Sequence, residues 1–407
     1  MEEKHLMPGT LDNPPPWWPN FQPPEFNEEE LREIEGYCQK IVENYEREKM
    51  TPWDRWKITH ELGMPDRPFI WHHSLNTCAG RVLDCWSKSL KPGYDLWFYP
   101  KLALKAHLLW CARFNADCVA TWGFTRGEIG WGGSSRAMLH PYLQPITLKS
   151  IVKSPKDWDR IHEPDPYRDG FYPQYLWEVR KIKEFMKKYG VAKYAPLFAS
   201  IGDDPVNFVS FIIGEKGGAG YRAFRKSPEL VQRCAELDLN FKIKFGEALI
   251  KEGADVLTCI GLGGIAGLDT WKQYNKYWIE LNGALSPPGM TWMMLTDQSQ
   301  VLEYMFESGA IPTRFWVDHL TPSDFVAKVS RKWGKVFALS LDPQLLVYGP
   351  CDHVAEIVKN TIRTCAGPGF IFGLNVCNFN SQAEYVDVAS KTAEDYGKKV
   401  YASSLKV

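Results

Sequence analysis

Apolar runs of five to seven residues recur in the carboxyl-terminal part of the chain, each ending in a polar residue and followed at once by a turn. Met290–Leu295 runs into Thr296 and Asp297, and Thr313–Val317 into Asp318 and His319. Lys335–Leu341 runs into Asp342 and Pro343, and Phe370–Val376 into Cys377 and Asn378. Runs of this kind read as strands buried on both faces, which is the pattern of parallel sheets covered by helices. Pro68–Trp71, Cys118–Trp122, Ala195–Ser200 and Ala254–Cys259 add four more, with helical segments between them. Eight strands alternating with helices predict an α/β fold, a (β/α)8 TIM barrel, rather than an open sheet. In that architecture ligands and chemistry sit at the carboxyl ends of the strands. The chain is therefore expected to be an enzyme whose site is gathered from positions far apart in sequence.

Charge excludes some function classes. Lys and Arg total 48 against 49 Asp and Glu, so no basic field exists that would suggest nucleic acid or an anionic membrane surface. No apolar run approaches transmembrane length, and the polar start Met1-Glu2-Glu3-Lys4 does not resemble a secretory leader. The ten cysteines include no C-x-x-C pair, which fits reduced thiols and a cytoplasmic location. Aromatic residues make up 14% of the chain, with 17 tryptophans. Most must serve a large core, but the excess also suits a pocket that holds a flat ligand by stacking.

The chain divides into a proline-rich arm with its first helix, residues 1–50, and a barrel domain, 51–407. Pro14–Pro19 and Pro23-Pro24 cannot enter a helix or a sheet interior. The arm is expected to dock Trp17 and Trp18 on the body or on a second copy, which would make a homo-oligomer. Asn27 is placed to cap one helix, and Thr51-Pro52 to start another. Tyr172–Lys188 reads as a helix ended by Gly190, and Ser227-Pro228 opens a long helix through Ile250. Residues 140–170, rich in Pro, Asp and Tyr, are expected to cross the outside of the barrel. The glycine-rich loop 123–133 lacks a Gly-Lys-Ser/Thr ending and suits no nucleotide fingerprint, so it is expected to be a wall of the pocket.

The strand ends supply the candidates for chemistry: His72, His73, Asp297, Asp318, His319, Asp342 and Cys377. Asp318 and His319 are adjacent and could act as metal ligands or as an acid with its orienting partner. Asp342 also suits a capping role before Pro343. His72 and His73 cannot both face inward on one strand, because successive side chains alternate. Trp122, Phe124, Cys259 and Tyr348 are candidate lining residues, with Arg126 and Glu128 weaker ones.

In their order, several segments resemble the uroporphyrinogen decarboxylase superfamily. These are Thr51-Pro52-Trp53-Asp54-Arg55, Glu252-Gly253-Ala254-Asp255-Val256, Leu341–Leu346 with Gly349–Val354, and Gly369–Phe372 with Cys377, Glu384–Val386 and Tyr396-Gly397. The likeness spans residue 50 to the end. It implies a barrel and one of two activities. The porphyrin decarboxylases carry an arginine-rich segment after the first strand, where this chain has His72–Asn76 and no arginine before Arg81. Their catalytic aspartate is replaced within Gly123–Thr125. A polyanionic substrate would be poorly neutralised here. The other branch holds corrinoid-dependent methyltransferases, and the resemblance to its anaerobic O-demethylase members implies the preferred expectation. The chain would move a methyl group from a small donor, a methoxylated aromatic, to the cob(I)alamin of a partner corrinoid protein.

Zinc-dependent members of that branch use His-x-Cys plus a last-strand cysteine. Cys377 matches the latter, but the former reads Trp292–Asp297 here, so zinc is possible only with an altered ligand set including Cys377 and His319. On this view Asp297, Asp318, His319 and His72 carry the chemistry, and His73, Trp122, Phe124, Cys259, Asp342 and Tyr348 bind the donor. No Asp-x-His-x-x-Gly pattern occurs, so the corrinoid is expected on another chain. Three alternatives remain: a lyase acting on a less charged substrate, an acceptor-side transferase to a folate or a thiol, and a non-catalytic scaffold.

Overall fold

A computed structural model of the 407-residue chain describes residues 21–74, 100–121, 161–213, 219–261, 267–286, 290–294, 296–376 and 380–404, with short pieces at 79, 82–84, 131, 137–140, 143–147, 152 and 158. Helix α1 (Glu28–Glu46) starts from a reciprocal cap. The Asn27 side chain accepts from the Glu30 amide and the Glu30 carboxylate from the Asn27 amide, both at 2.9 Å. Helix α2 (Pro52–His60) starts the same way from Thr51 and Asp54, with Pro52 where its missing N–H costs nothing. Trp17 and Trp18 lie outside the described residues. Just beyond them, Phe26 stacks on Trp177 at 5.9 Å and meets Phe185 edge-on at 5.4 Å, so the end of the arm docks on its own chain.

Eight parallel strands form the barrel: β1 (Phe69–Ser74), β2 (Val119–Ala120), β5 (Leu197–Asp203), β6 (Val256–Gly261), β7 (Met290–Met294), β8 (Arg314–Val317), β9 (Val336–Ser340) and β10 (Phe370–Val376). They run in the order β2-β5-β6-β7-β8-β9-β10-β1. β3 (Ala137–His140) and β4 (Leu143–Thr147) form a separate antiparallel ribbon, so part of the segment expected to cross the outside folds on itself. The seam between β1 and β2 is closed by two bonds just before β2. The Asp117 amide donates to the Ile70 carbonyl at 2.9 Å, and the Ile70 amide donates to Asp117 Oδ2 at 2.7 Å.

The described helices after α2 are α3 (Pro100–Phe114), α4 (Tyr172–Lys188), α5 (Phe208–Ile213), α6 (Ala219–Lys226), α7 (Pro228–Lys251), α8 (Gly267–Ala284), α9 (Leu302–Glu307), α10 (Ser323–Lys332), α11 (Leu345–Tyr348), α12 (Cys351–Cys365) and α13 (Ala383–Ser404). No described helix is long and apolar enough to cross a membrane.

Alternation along the strands splits the core in two. Phe69, Trp71, Cys118, Phe198, Val256, Ile260, Met293, Trp316, Val336, Ala338 and Ile371 fill the barrel interior together with Trp56. Their neighbours Ile70, Val119, Leu197, Leu257, Trp292, Phe315 and Phe337 pack outward against the helices. Trp56, from α2, plugs the amino-terminal end at 5.1 Å from Phe69 and 4.9 Å from Phe198, with the Arg314 guanidinium 5.5 Å from its ring. Around this plug lies a buried ion network. Arg55 donates to Asp66 at 2.6 Å, Glu48 at 2.7 Å and Asp117 at 3.1 Å, and Arg67 donates to Asp117 at 2.6 Å. Arg55, from the segment that resembles the superfamily's opening motif, is therefore a structural clamp at the closed end. What is left for chemistry is the opposite, carboxyl end.

Candidate active site

Strand parity decides which polar groups reach the barrel interior at that end. On β1, Phe69 and Trp71 face inward, so His73 does too, whereas Ile70, His72 and Ser74 face the helices. His72, expected among the catalytic groups, is a buried histidine of the helical layer. Its Nδ1 accepts from the Trp110 indole at 3.2 Å, and its Nε2 lies 3.3 Å from Ser390 Oγ. Because Ser390 gives its own proton to the Val386 carbonyl at 2.8 Å, the bond between them runs from His72 Nε2–H to the serine oxygen. One acceptor and one donor satisfy a neutral ring, and burial lowers its pKa to about 3.

His73 is the inward histidine. Its Nδ1 lies 3.3 Å from Asn375 Oδ1 on the neighbouring β10. An amide oxygen only accepts, so Nδ1 carries the proton and Nε2 keeps the lone pair. Burial, partly offset by the bond to Asn375, lowers its pKa to about 4. Its ring is 6.2 Å from that of Trp316, which in turn meets Trp71 edge-on at 4.4 Å. A neutral imidazole beside two tryptophans and an amide thus lies inside the barrel.

The acidic candidates serve the loops. Asp318, nearly buried, accepts from the Thr296 amide at 2.7 Å through one oxygen and from the Leu320 amide at 2.9 Å through the other. The first bond ties the loop after β7 to the loop after β8, and the second closes the turn after β8. The first also holds Thr296 at φ 95°, a left-handed conformation that a β-branched residue avoids. Gln298 adds to the hold by donating to the Thr296 carbonyl at 2.9 Å. Asp297 is exposed and accepts from the Ser299 amide and hydroxyl at 2.9 and 2.5 Å. His319 is exposed at the rim, with Nε2 3.7 Å from Asp342 Oδ1. Asp342 accepts from the Gln344 amide at 2.8 Å, forming the turn ahead of α11 that its place before Pro343 suggests. Tyr348, on α11, is 75% exposed and stands at the rim rather than against the interior.

Cys259 lies on the helical side of β6, packed with Leu257. Burial first, then the charge of Asp204, pushes its thiol well above the ordinary value, so it is an inert core residue. Trp122, Phe124, Arg126, Glu128 and Cys377 lie outside the described residues. Among the described residues no three His, Cys, Asp or Glu side chains converge as a metal site. Cys377, on which the zinc expectation rests, is not among those residues.

Parity also brings in residues that strand-end reasoning passes over. Asn375 and Ser340 sit inside apolar runs and face inward, each two positions beyond an inward neighbour: Gly373 and Ala338 respectively. The signal was a polar residue at even spacing within a run that otherwise reads as wholly apolar. A second group behind β5 was not expected at all. Lys242 donates to the Ile201 carbonyl at 2.7 Å and lies 3.9 Å from the buried Asp238, whose pKa burial raises to about 7 despite that lysine.

No protein-family model and no curated protein matches the chain. Among solved structures, it is similar to a methyltransferase from Methanosarcina mazei, with TM-score 0.68 and 15% identity, over 86% of this chain and 99% of that one. A B12-independent methionine synthase from Shewanella sp. W3-18-1, in complex with selenomethionine, overlaps at TM-score 0.38 and 9% identity, over 57% of this chain and 67% of that one. At such identity, the first likeness establishes a shared fold, the parallel barrel described above.

Proposed function

We propose that the chain is a methyltransferase of the uroporphyrinogen decarboxylase type. It would move a methyl group from a methoxylated aromatic to a corrinoid carried by a partner protein, in the cytoplasm. The observation that carries this is the inward His73, held neutral beside Asn375 and next to Trp316, toward the carboxyl end of a barrel. The motif resemblance supports it, and so does the fold shared with a protein described as a methyltransferase.

The chain's own contribution is positioning and charge placement. Trp71 and Trp316, packed edge-on against each other in the interior, would form the floor on which an aromatic ring rests beside His73. His73 Nε2, an acceptor at all working pH values, can take a hydrogen bond from a ring hydroxyl next to the methoxy group and so fix which way the ether faces. Its low pKa makes it a poor acid, so it does not protonate the leaving oxygen. Asp318 and Asp297 are occupied by loop amides, which leaves them to shape the rim. When bound, a corrinoid supplies the nucleophile that takes the methyl group. The ether C–O bond then breaks with its electron pair left on the oxygen.

Incubation of the protein with free cob(I)alamin and a panel of methoxyarenes tests this. The expected result is methylcobalamin with an equimolar phenol, followed by absorbance and chromatography. If no methoxyarene yields methylcobalamin while a carboxylated arene loses carbon dioxide, the lyase alternative takes its place.

A further inference from the structure

Two polar groups inside the barrel have no hydrogen-bond partner among the described residues: Trp316 Nε1 on β8 and Ser340 Oγ on β9. Both residues are buried, Trp316 at 0% and Ser340 at 2% exposure. They are also neighbours. Trp316 pairs with Ala338 across β8 and β9, and Ser340 stands two residues further along the same inward face. Across β9 and β10, Ser340 pairs with Gly373. The Trp316 indole reaches over to that glycine: a Cβ there would lie 2.9 Å from its Cζ2 and 3.0 Å from its Cη2. Cζ2 is bonded to the carbon that bears Nε1, so the indole reaches the level of the Ser340–Gly373 pair.

An indole N–H can only donate, so the partner missing here is an acceptor. A hydroxyl alongside can donate to the same atom. We infer that Trp316 Nε1–H and Ser340 Oγ–H form a two-donor subsite for one oxygen of the bound ligand, the ether oxygen of an aryl methyl ether, with the ring lying toward Trp71 and His73. The inference rests on the methyl-transfer function proposed above and completes it at the point where His73 cannot serve. An ether oxygen is a weak acceptor and a phenolate a strong one. Donors fixed before the reaction therefore bind the departing oxygen more tightly than the starting ether, which favours the transition state over the ground state. Gly373 is then required because its bare backbone leaves room for the indole that carries one of the two donors.

Anisole and ethylbenzene, which differ by oxygen against a methylene, give the test. The readout is the indole N–H spectrum of the 15N-tryptophan-labelled full chain, with the Trp316 signal assigned by its absence in Trp316→Phe. Saturation with anisole is expected to move that signal downfield, and ethylbenzene to leave it in place. Ser340→Ala is expected to weaken anisole binding about fivefold, the size of one ordinary hydrogen bond, without weakening ethylbenzene. Saturable anisole binding with an unmoved Trp316 signal, or equal losses for both ligands in Ser340→Ala, would overturn the subsite while leaving methyl transfer standing. Binding of neither ligand, together with no methylcobalamin from any methoxyarene, would overturn both.

Discussion

Two adjacent histidines have opposite environments because a strand turns its side chains alternately. His72 sits between Trp110 and Ser390 with both nitrogens satisfied, and His73 faces Asn375 inside the barrel. Substitutions should separate them. His73→Ala is expected to lower methyl transfer by about 10²-fold through lost orientation of the substrate, while the unfolding midpoint stays near that of the parent chain. His72→Ala is expected to cost roughly 2 kcal/mol of stability in urea denaturation, because it opens a cavity and removes the acceptor of the bond from Trp110, and to leave the transfer rate of the folded protein unchanged. The sequence showed that only one of the pair could face inward but not which, since nothing in His-His alone sets the parity. The packing of Phe69 and Trp71 sets it. Asp297, Asp318 and Asp342 look like catalytic acids from their positions at strand ends, yet each accepts from amides of its own or a neighbouring loop. An aspartate after a strand serves turn geometry as readily as chemistry, and only the hydrogen-bond partner distinguishes the two.

At the scale of elements, the strands were legible because each is apolar on both faces, the requirement for burial between helices and a filled interior. Their order around the barrel was legible too, because short strand–helix repeats allow few parallel topologies. The inner lining was not, because an inward Ser340 or Asn375 scarcely interrupts a run such as Phe370–Val376. The β8–β9–β10 wall depends on a fit that sequence does not show. Gly373 leaves the space into which Trp316 reaches, and an added methyl would also lie 2.9 Å from the Leu339 carbonyl. Gly373→Ala should therefore cost about 1–3 kcal/mol in thermal or urea unfolding, and the near-ultraviolet circular dichroism of the tryptophans should change as the indole is displaced. Unchanged stability and an unchanged aromatic signal would mean that the wall has slack.

For the whole molecule, the amino end of the barrel is the closed one, and the candidate groups lie toward the carboxyl end. The closed end is held by Asp117, which accepts from Arg55, Arg67 and the Ile70 amide at once. Asp117→Ala leaves two buried guanidinium groups without their shared partner and opens the β1–β2 seam. A loss of about 3–5 kcal/mol is expected in denaturant unfolding, enough to impair folding at 37 °C. The buried titratable groups set the pH range of stability. Burial lowers His60 and His73 to about 4, and His72 and His107 to about 3, all below the ordinary histidine value. Their contribution is complete above the ordinary value near 6.5 and is lost as pH falls toward 3–4. Burial raises Asp238 to about 7 and Glu178 to about 8, so their contribution is complete in acid and is lost as pH rises through those values. Four histidines outweigh two carboxyls below pH 6.5, and only the carboxyls act above it. The unfolding midpoint measured across pH should therefore peak near pH 6.5 and fall more steeply on the acid side.

The central claim is that a small aromatic ligand is held on the inward face at the carboxyl ends of β1, β8, β9 and β10. The most direct measurement is a crystal structure of the protein soaked with 2-methoxyphenol. The expected density shows the ring against Trp71 and Trp316, its hydroxyl on His73 and its methoxy oxygen beside Ser340. A ring bound instead in the outer groove between α12 and α13, lined by Lys359, Lys391 and Tyr396, with the barrel interior unchanged, would contradict it.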